Sequence, residues 1–191
     1  MNQLEVTWYT SPLGNMLIAA EHGRLLRIIL PGRTPDVMKQ TLQQEYPEHS
    51  LTFLPEGGDQ ATTELDEYFA GKRKEFSLDF RLEGSLFTQK VLAAVKRVSF
   101  GETRSYKEIA SDIGNPGACR AVGGANHRNP LPLVIPCHRI VGADGSLTGF
   151  GAGVNVKRCL LEWEKEVLYG KKDNTFDPDR FDWRRLLDRN N

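Results

Sequence analysis

Hydrophobic and polar positions alternate with a period of two through most of the first 30 residues, a pattern typical of half-buried strands. Three strands are predicted at residues 4–10, 16–20 and 25–30, separated by short turns rich in Pro, Gly and His. Strands joined by such short turns pair antiparallel. The same alternation at residues 76–80 predicts one more half-buried strand. The N-terminal part is therefore expected to contain a small antiparallel sheet.

Two helices are predicted between these strands. Thr34 and Pro35 have the residue types of a helix start, a capping residue followed by proline at the first helical position. A second helix is expected around residues 65–69. The buried stripe of the first helix is expected to consist of Val37, Met38, Thr41 and Leu42.

The hydrophobic period changes from two to about 3.6 after residue 84, where Glu-Gly-Ser marks a boundary. From Thr88 onward, apolar residues recur on one helical face. The predicted fold is α/β, with an N-terminal domain of residues 1–84, a second, mostly helical domain of residues 85–166 and a C-terminal extension of residues 167–191. The extension is expected to pack back on the protein through Phe176, Phe181, Trp183, Leu186 and Leu187.

A helix-turn-helix is predicted within the second domain. Ser105 and Glu108 have the spacing of a capping box, in which each side chain binds the other residue's backbone amide. Gly114 ends the first helix. Asn115 can then cap a second helix that begins at Pro116 and runs to about residue 125. Two short helices across a tight turn form a helix-turn-helix.

The second of these helices has small residues over most of its surface. Gly123 and Gly124 each cost about 1 kcal/mol relative to alanine inside a helix. One interpretation is close approach to a groove of DNA, with Arg120 as the single long side chain on a smooth surface. The other is tight packing against a neighbouring helix. The residues alone leave both open.

The formal net charge of zero hides an uneven distribution along the chain. Residues 1–84 carry 8 Lys and Arg against 13 Asp and Glu, whereas residues 85–139 carry 8 against 3. A basic segment suits binding to a phosphate backbone, although an ordinary solvated face has the same appearance.

The candidate for chemistry is Cys137. An apolar run at residues 131–135 predicts a buried strand that delivers this cysteine to a loop. The thiolate is the nucleophilic form, and a thiol with a pKa of about 8.5 needs a neighbouring base near neutral pH. His138 is the obvious base. Adjacent side chains point apart, so we expect a bend or a bridging water between them.

Several other classes of site are not predicted. The three cysteines match neither a disulfide framework nor a zinc motif, and the scattered histidines share no ligand spacing with them, so no metal is expected. Cys119 and Cys159 are interpreted as small buried hydrophobic residues. The Gly-rich run at residues 149–153 lacks the strand, helix and acid of a dinucleotide site, so no cofactor is expected. No membrane span or export signal is predicted, which favours a cytoplasmic protein.

The run Pro-Cys-His-Arg at residues 136–139, preceded by Arg-Ala-Val-Gly at 120–123 and Asn-Pro at 129–130, resembles the O6-alkylguanine-DNA alkyltransferase family. The resemblance is close over about residues 87–164. It implies a ribonuclease H-like N-terminal lobe and a winged helix-turn-helix C-terminal lobe. It also implies direct-reversal repair by a monomer that binds double-stranded DNA through the minor groove. An alkyl group on O6 of guanine, or O4 of thymine, is transferred once per molecule.

The resemblance also implies roles for individual residues. Cys137 corresponds to the alkyl acceptor, His138 to its water-linked base and Glu164 to the carboxylate that orients the histidine. Asn129 corresponds to the residue that braces the active-site turn. Tyr106 corresponds to the tyrosine that helps to rotate the nucleotide and donates a proton to the leaving base.

Further residues are expected at the DNA surface and in the substrate pocket. Arg120 corresponds to the finger that fills the base stack once the nucleotide has left. The other expected DNA-binding residues are Tyr106, Lys107, Asn115 and Thr88. The expected pocket residues are Pro132, Ile140, Phe150, Gly151 and Lys157. Phe150 and Gly151 replace a more usual Tyr-Ser or Tyr-Ala pair, which predicts a smaller, less polar rim that admits bulkier alkyl groups.

Two alternatives belong to other functional classes. A helix-turn-helix protein could recognise alkylated DNA without reacting, but it would not need Cys137. A cysteine hydrolase could use Cys137 and His138, but it would not need the Arg120 helix or the basic middle of the chain. We expect no additional cysteine-rich N-terminal domain, and therefore repair without transcriptional regulation.

Overall fold

The computed structural model describes residues 2–170, 178 and 181–188 of the 191-residue chain. None of the helices within these ranges is long and apolar enough to cross a membrane. The elements in chain order are β1 (Asn2–Ser11), β2 (Gly14–Glu21), β3 (Arg24–Ile29), α1 (Pro35–Glu45), β4 (His49–Phe53), α2 (Gln60–Phe69), α3 (Leu86–Lys96), β5 (Arg104–Ser105), α4 (Tyr106–Asp112), α5 (Cys119–His127), a 3₁₀ turn (Cys137–Arg139), β6 (Ile140–Val141), α6 (Val154–Tyr169) and α7 (Trp183–Leu187).

The N-terminal sheet has four strands in the order β3-β2-β1-β4. The three predicted strands form it as antiparallel neighbours, with the turns where the sequence places them. β4 was not predicted, and it lies parallel to β1 on the far edge. Its five residues are all at least partly exposed, so they lack the buried–exposed alternation that identifies a strand.

The strand predicted at residues 76–80 is wrong. The segment makes one isolated bridge, between Phe80 and Leu25 of β3, and Leu25 N donates to Asp79 O at 2.9 Å. Three residues further along β3, Ile28 N donates to the carbonyl of Pro130 at 2.9 Å. Loop segments from both halves of the chain therefore share the free edge of β3, and neither continues as a strand.

The predicted helices are present, with some changes at their ends. α1 has Pro35 at its first turn, and Met38 and Leu42 are buried, but Val37 is 41% exposed, so its predicted burial is wrong. The apolar face predicted after Thr88 is the buried face of α3 and its C-terminal end, with Val91, Leu92, Val95 and Val98 in the core.

The helix-turn-helix is formed by α4 and α5. The predicted capping box is present: Glu108 N donates to Ser105 Oγ at 3.1 Å, and Ser105 N donates to the Glu108 carboxylate at 2.7 Å. The predicted start of the second helix at Pro116 is wrong. Ala118 N instead donates to Asn115 O, so residues 115–118 form a turn, and α5 begins at Cys119. β5 and β6 pair beside these helices as a short two-stranded sheet.

Two hydrophobic cores lie on opposite sides of the sheet. The smaller core packs α1 against one face. The larger core joins the other face to α2, α3, α5 and α6, and it contains residues from both sides of position 84. Because this core is shared, the division of the chain at residue 84 stays a prediction. α6 runs to Tyr169 and so continues past position 167, where the extension was expected to start.

The C-terminal segment packs against both halves of the chain. The ring of Trp183 lies 5.0 Å from that of Trp163 on α6 and 5.6 Å from that of Phe69 on α2. This confirms the predicted packing for residues 181–188, where Trp183 is 8% exposed. Phe176 lies outside the described residues.

Candidate active site

A tight turn leads into Cys137 where the sequence predicted a buried strand, so that prediction is wrong. Ile135 N donates to Leu131 O at 2.8 Å, and Leu133 between them has a left-handed backbone with φ of 74°. Cys137 N then donates back to Ile135 O at 2.7 Å around Pro136, whose φ of −79° and ψ of 62° are those of an inverse γ-turn. An unfavourable φ at a non-glycine residue persists only when its surroundings hold it.

Two asparagine side chains hold this turn. Asn129 donates from Nδ2 to Ile135 O at 2.8 Å and accepts from Leu131 N at 3.0 Å. Asn126 on α5 donates from Nδ2 to Cys137 O at 3.2 Å. The sequence pattern does not predict this role for Asn126. The turn that carries the cysteine is thereby attached to the second helix of the helix-turn-helix.

The N-terminal sheet also contacts the turn. Arg27 on β3 donates to the backbone carbonyl of Asn129 at 3.3 Å, and its other nitrogens bind the Glu45 carboxylate at 2.7 and 2.9 Å. Together with the bond from Ile28 N to Pro130 O, this contact fixes the start of the turn on the edge of the sheet.

Cys137 is buried, with 4% of the residue exposed. Burial raises its pKa to about 11, although a hydrogen bond with Asn129 and the nearby charge of Lys157 favour the thiolate. The thiol is therefore protonated near neutral pH. A nucleophilic role requires a base that removes its proton.

His138 and Glu164 are fully buried, and His138 Nε2 lies 2.8 Å from Glu164 Oε1. Burial alone would raise the pKa of Glu164, but His138 and Arg139 lower it to about 2, so this carboxylate is ionised. An ionised carboxylate only accepts hydrogen bonds, which places the imidazole proton on Nε2 and the lone pair on Nδ1. Burial lowers the pKa of His138 despite the neighbouring carboxylate. The imidazole is thus a neutral base, and Nδ1 has no hydrogen-bond partner among the described residues.

The Glu164 carboxylate accepts hydrogen bonds from four further donor atoms, none of which was predicted. Arg139 donates from Nη2 at 2.8 Å and from Nε at 3.0 Å. Tyr68 Oη donates at 2.9 Å, and the backbone amide of Gly101 at 2.9 Å. Arg139 belongs to the Pro-Cys-His-Arg run, so the sequence contains a signal for its place in the site. Tyr68, 96 positions before Glu164, has no local sequence signal for this role.

A cavity of about 630 Å³ opens onto Cys137 between the two halves of the chain. Pro132, Phe150 and Gly151, three of the predicted pocket residues, line it. Lining residues expected to have other roles are Thr88 and Asn129. The lining also includes residues of the N-terminal half: Arg27 on β3, Glu45 on α1, Arg33 and Tyr46 on either side of α1, and Arg81 after α2.

The other two predicted pocket residues, Ile140 and Lys157, lie outside the cavity lining. Lys157 is fully buried and donates from Nζ to Ile140 O at 2.5 Å and to Thr148 O at 3.0 Å. Burial lowers the pKa of Lys157 to about 8, although the nearby Cys137 raises it. Tyr106 Oη donates to the same Thr148 carbonyl at 3.3 Å. Lys157 and Tyr106 therefore meet at one carbonyl beside the cavity.

The predicted DNA-binding residues lie on one lobe. Arg120, Lys107 and Asn115 are exposed on the helix-turn-helix, and Thr88 is half-buried in the first turn of α3. A Cβ atom added at Gly123 would lie 3.9 Å from the Tyr106 ring, and one at Gly124 3.4 Å from Arg128. Both are ordinary contacts. Packing within the protein therefore does not require these glycines, which favours the interpretation that another molecule approaches α5 closely.

The arrangement defines a class of protein. It is a two-lobe α/β protein whose helix-turn-helix lobe holds a buried cysteine beside a neutral histidine and an ionised carboxylate. Across the described residues, no group of three or more His, Cys, Asp or Glu side chains could hold a metal ion.

Family models identify the chain more closely. The ribonuclease-like domain of 6-O-methylguanine DNA methyltransferase matches residues 5–82, and the DNA binding domain of the same family matches residues 86–166. The chain belongs to the 6-O-methylguanine DNA methyltransferase family.

Individual relatives are consistent with this. A methylated-DNA--protein-cysteine methyltransferase of Mycobacterium leprae is 44% identical over 160 residues, covering 83% of this chain and 90% of the relative. The constitutive enzyme of that name from Bacillus subtilis is 42% identical over 171 residues, covering 87% of this chain and 100% of the relative. The crystal structure of Mycobacterium tuberculosis OGT in complex with DNA has a TM-score of 0.72 and 39% identity, covering 85% of this chain and 94% of that one.

Proposed function

We propose that the chain repairs alkylated double-stranded DNA by direct reversal, transferring an alkyl group from O6 of guanine, or O4 of thymine, to Sγ of Cys137. The observation that carries this proposal is a buried cysteine facing a cavity, with a neutral histidine and an ionised glutamate beside it, on a helix-turn-helix lobe. The names of the relatives support the reaction class.

DNA would dock on α5 through the minor groove. This part of the proposal is supported by the glycines of α5, which internal packing does not require, and by the exposed Arg120. The alkylated O6 faces the paired strand, so the nucleotide must leave the stack at a cost of a few kcal/mol. Arg120 would fill the space that the nucleotide leaves.

The transfer is a single displacement at the alkyl carbon, with the thiolate as nucleophile and the base as leaving group. The Cys137 proton passes to Nδ1 of His138 through a bridging water, and Sγ attacks the alkyl carbon as a thiolate. The bond from that carbon to O6 breaks, and its electron pair stays on the base. A proton from the Tyr106 hydroxyl, which donates to the Thr148 carbonyl, would neutralise the leaving base. The Tyr106 phenolate then regains a proton from solvent and the His138 imidazolium releases one to solvent, so that both side chains return to neutral.

The product would be a thioether on Cys137. A thioether has no electrophilic carbonyl for water to attack, so the thiol is not regenerated and each molecule reacts once. The proposed reaction requires no cofactor, and one chain supplies every group that it uses, which supports a monomer as the acting species. All three cysteines are free thiols, which supports a reducing compartment such as the cytoplasm.

Phe150 and Gly151 line the cavity beside Cys137, with Gly151 exposed at its rim. A rim without a larger side chain at position 151 should admit bulkier alkyl groups. Transfer rates from O6-benzylguanine and O6-methylguanine in otherwise identical duplexes test this, with Gly151→Ser as the matched variant. A benzyl preference that persists in Gly151→Ser would assign it to another feature of the cavity.

The proposed function is tested by intact-protein mass after incubation with excess duplex DNA containing O6-methylguanine. We expect one methyl group per chain, absent in Cys137→Ala, with one lesion repaired per protein molecule. Tight lesion binding without a mass change would indicate a recognition protein instead. Repeated turnover without an adduct would indicate a hydrolase.

A further inference from the structure

A tyrosine from the N-terminal sheet lobe reaches the proposed active site of the helix-turn-helix lobe. Tyr68 on α2 donates from Oη to Glu164 Oε1 at 2.9 Å. The same oxygen accepts the proton of His138 Nε2 at 2.8 Å. All three side chains are fully buried. One carboxylate oxygen therefore accepts hydrogen bonds both from the proposed base and from a donor in the other lobe.

The direction of this hydrogen bond is determined by the charges around it. Glu164 is ionised and can only accept, so the phenol of Tyr68 must donate. Burial, with the nearby Glu164 charge, raises the pKa of Tyr68 well above its ordinary value, so the hydroxyl keeps its proton throughout the physiological range.

The Tyr68 ring has little freedom to turn away. Its centroid lies 5.2 Å from that of Phe69, 5.6 Å from that of Phe76 and 5.9 Å from that of Phe100. A hydroxyl on a ring packed in this way holds its acceptor in one orientation.

Resting on the function proposed above, we propose that Tyr68 is a positioning residue for alkyl transfer, which holds the Glu164 carboxylate so that His138 presents its Nδ1 lone pair as the base. A donor to a carboxylate stabilises the negative charge and weakens its attraction for a proton on the imidazole. Tyr68 would thus act together with the positive charges of Arg139 and Lys157, which also face His138, to keep His138 neutral. Cys137, on the same turn, is a further titratable neighbour.

The test compares Tyr68→Phe with Tyr9→Phe. Tyr9 is a matched control because it is also buried in the N-terminal lobe, packs on Phe69 and donates from Oη to a carboxylate, that of Asp66, at 2.8 Å. Single-turnover transfer from saturating O6-methylguanine duplex is measured from about pH 5 to about pH 9, a range that spans histidine titration. DNA affinity is measured separately for each variant.

We expect Tyr68→Phe to react about tenfold more slowly at neutral pH, a loss of the size found for residues that orient a reacting group through hydrogen bonds. The acid limb of its pH–rate profile should move to higher pH by about half a unit. The reason is that the less stabilised Glu164 carboxylate attracts a proton on the His138 imidazole more strongly. DNA affinity should not change. Tyr9→Phe should keep the wild-type rate and profile.

A second variant keeps the aromatic ring and should shift the pH–rate profile in the opposite direction. 3-Fluorotyrosine at position 68 has a more acidic hydroxyl and is a stronger donor, so the acid limb should move to lower pH. A wild-type profile in Tyr68→Phe, equal changes in Tyr9→Phe, or a shift in the same direction for both Tyr68 variants would overturn the proposal. If Tyr68→Phe does not fold, the fluorotyrosine shift alone decides.

Failure of the proposed function gives a different result. In that case wild-type protein acquires no methyl group from DNA. The role of Tyr68 is then judged from the titration of the His138 imidazole, followed by NMR in the absence of DNA. Its midpoint should lie at higher pH in Tyr68→Phe than in wild type, and identical titrations would overturn the positioning role.

Discussion

Nε2 of His138 and Oε1 of Glu164 lie 2.8 Å apart at a point where neither side chain is exposed to solvent. The histidine is neutral and the carboxylate is ionised, and Arg139 supplies the compensating positive charge at 2.8 Å. The pair therefore has a structural role and a proposed chemical role at once, and the two can be separated experimentally.

Glu164→Gln should impair both stability and transfer. The substitution keeps the side-chain shape but leaves the Arg139 charge buried without its partner, which typically costs about 3–5 kcal/mol. Urea denaturation should show a loss of this size. Because the base loses its orienting group, single-turnover transfer should fall by about 100-fold.

Glu67→Gln is the control for that substitution. Glu67 pairs with Arg73 at 2.7 Å, but its side chain is 41% exposed, so the free energy of unfolding should change by less than about 1 kcal/mol. Equal losses for the two variants would contradict the special role of the buried pair.

The reactivity of Cys137 toward iodoacetamide in the absence of DNA should rise steeply with pH. Burial raises the pKa of this thiol to about 11, so the thiolate fraction grows about tenfold per pH unit below that value. Peptide mass mapping distinguishes Cys137 from Cys119 and Cys159. A rate that levels off near pH 7 would show instead a thiolate already formed at rest.

Lys157→Met should slow the reaction of Cys137 with iodoacetamide at each pH, since the charge of Lys157 favours the thiolate. Methionine has nearly the same length and stays compatible with a buried position. The expected loss is larger below about pH 8, where Lys157 is charged, than above it. A rate loss that is the same on both sides of pH 8 would argue for a packing effect.

Gly123→Ala should stabilise the protein and weaken its binding to DNA. Alanine is favoured over glycine inside a helix by about 1 kcal/mol, and its Cβ would make an ordinary 3.9 Å contact with the Tyr106 ring. If α5 approaches DNA closely, the added methyl group enters that interface. Binding is measured by fluorescence polarisation in a Cys137→Ala background, so that no reaction occurs.

Thr63→Ala on α2 serves as the control for the binding measurement, because Thr63 is exposed on the other lobe. It should leave DNA affinity unchanged. Wild-type affinity in Gly123→Ala would remove the main support for docking through α5.

Trp183→Ala should destabilise the whole protein. The ring packs on Trp163 and Phe69, which belong to different halves of the chain, and truncation of a buried tryptophan costs about 3–5 kcal/mol. Urea denaturation should show a single transition at lower denaturant. Tyr169→Ala removes a ring that is 75% exposed and should change the midpoint little. A second, separate transition in Trp183→Ala would mean that the lobes unfold independently without this contact.

Much of the architecture could be read from the sequence because it depends on short-range patterns. The three antiparallel strands follow from alternation and turns, and the Ser105–Glu108 capping box from a spacing of three residues. The adjacent Cys137 and His138 likewise stand in one motif. Each of these features is determined within a few positions of the chain, where backbone geometry restricts the possibilities most strongly.

The remaining features were decided by tertiary contacts. The turn at residues 131–135 has an apolar sequence that suits a strand equally well, and the bonds from Asn129 select the turn. Tyr68 looks like an ordinary core residue until the fold brings its hydroxyl to Glu164, 96 positions away. Hydrogen bonds between residues so far apart in the sequence depend on how whole elements pack together. No local sequence pattern predicts that packing. The sequence by itself therefore determined most of the elements and the candidate nucleophile, Cys137, and the tertiary structure decided which residues surround its proposed base.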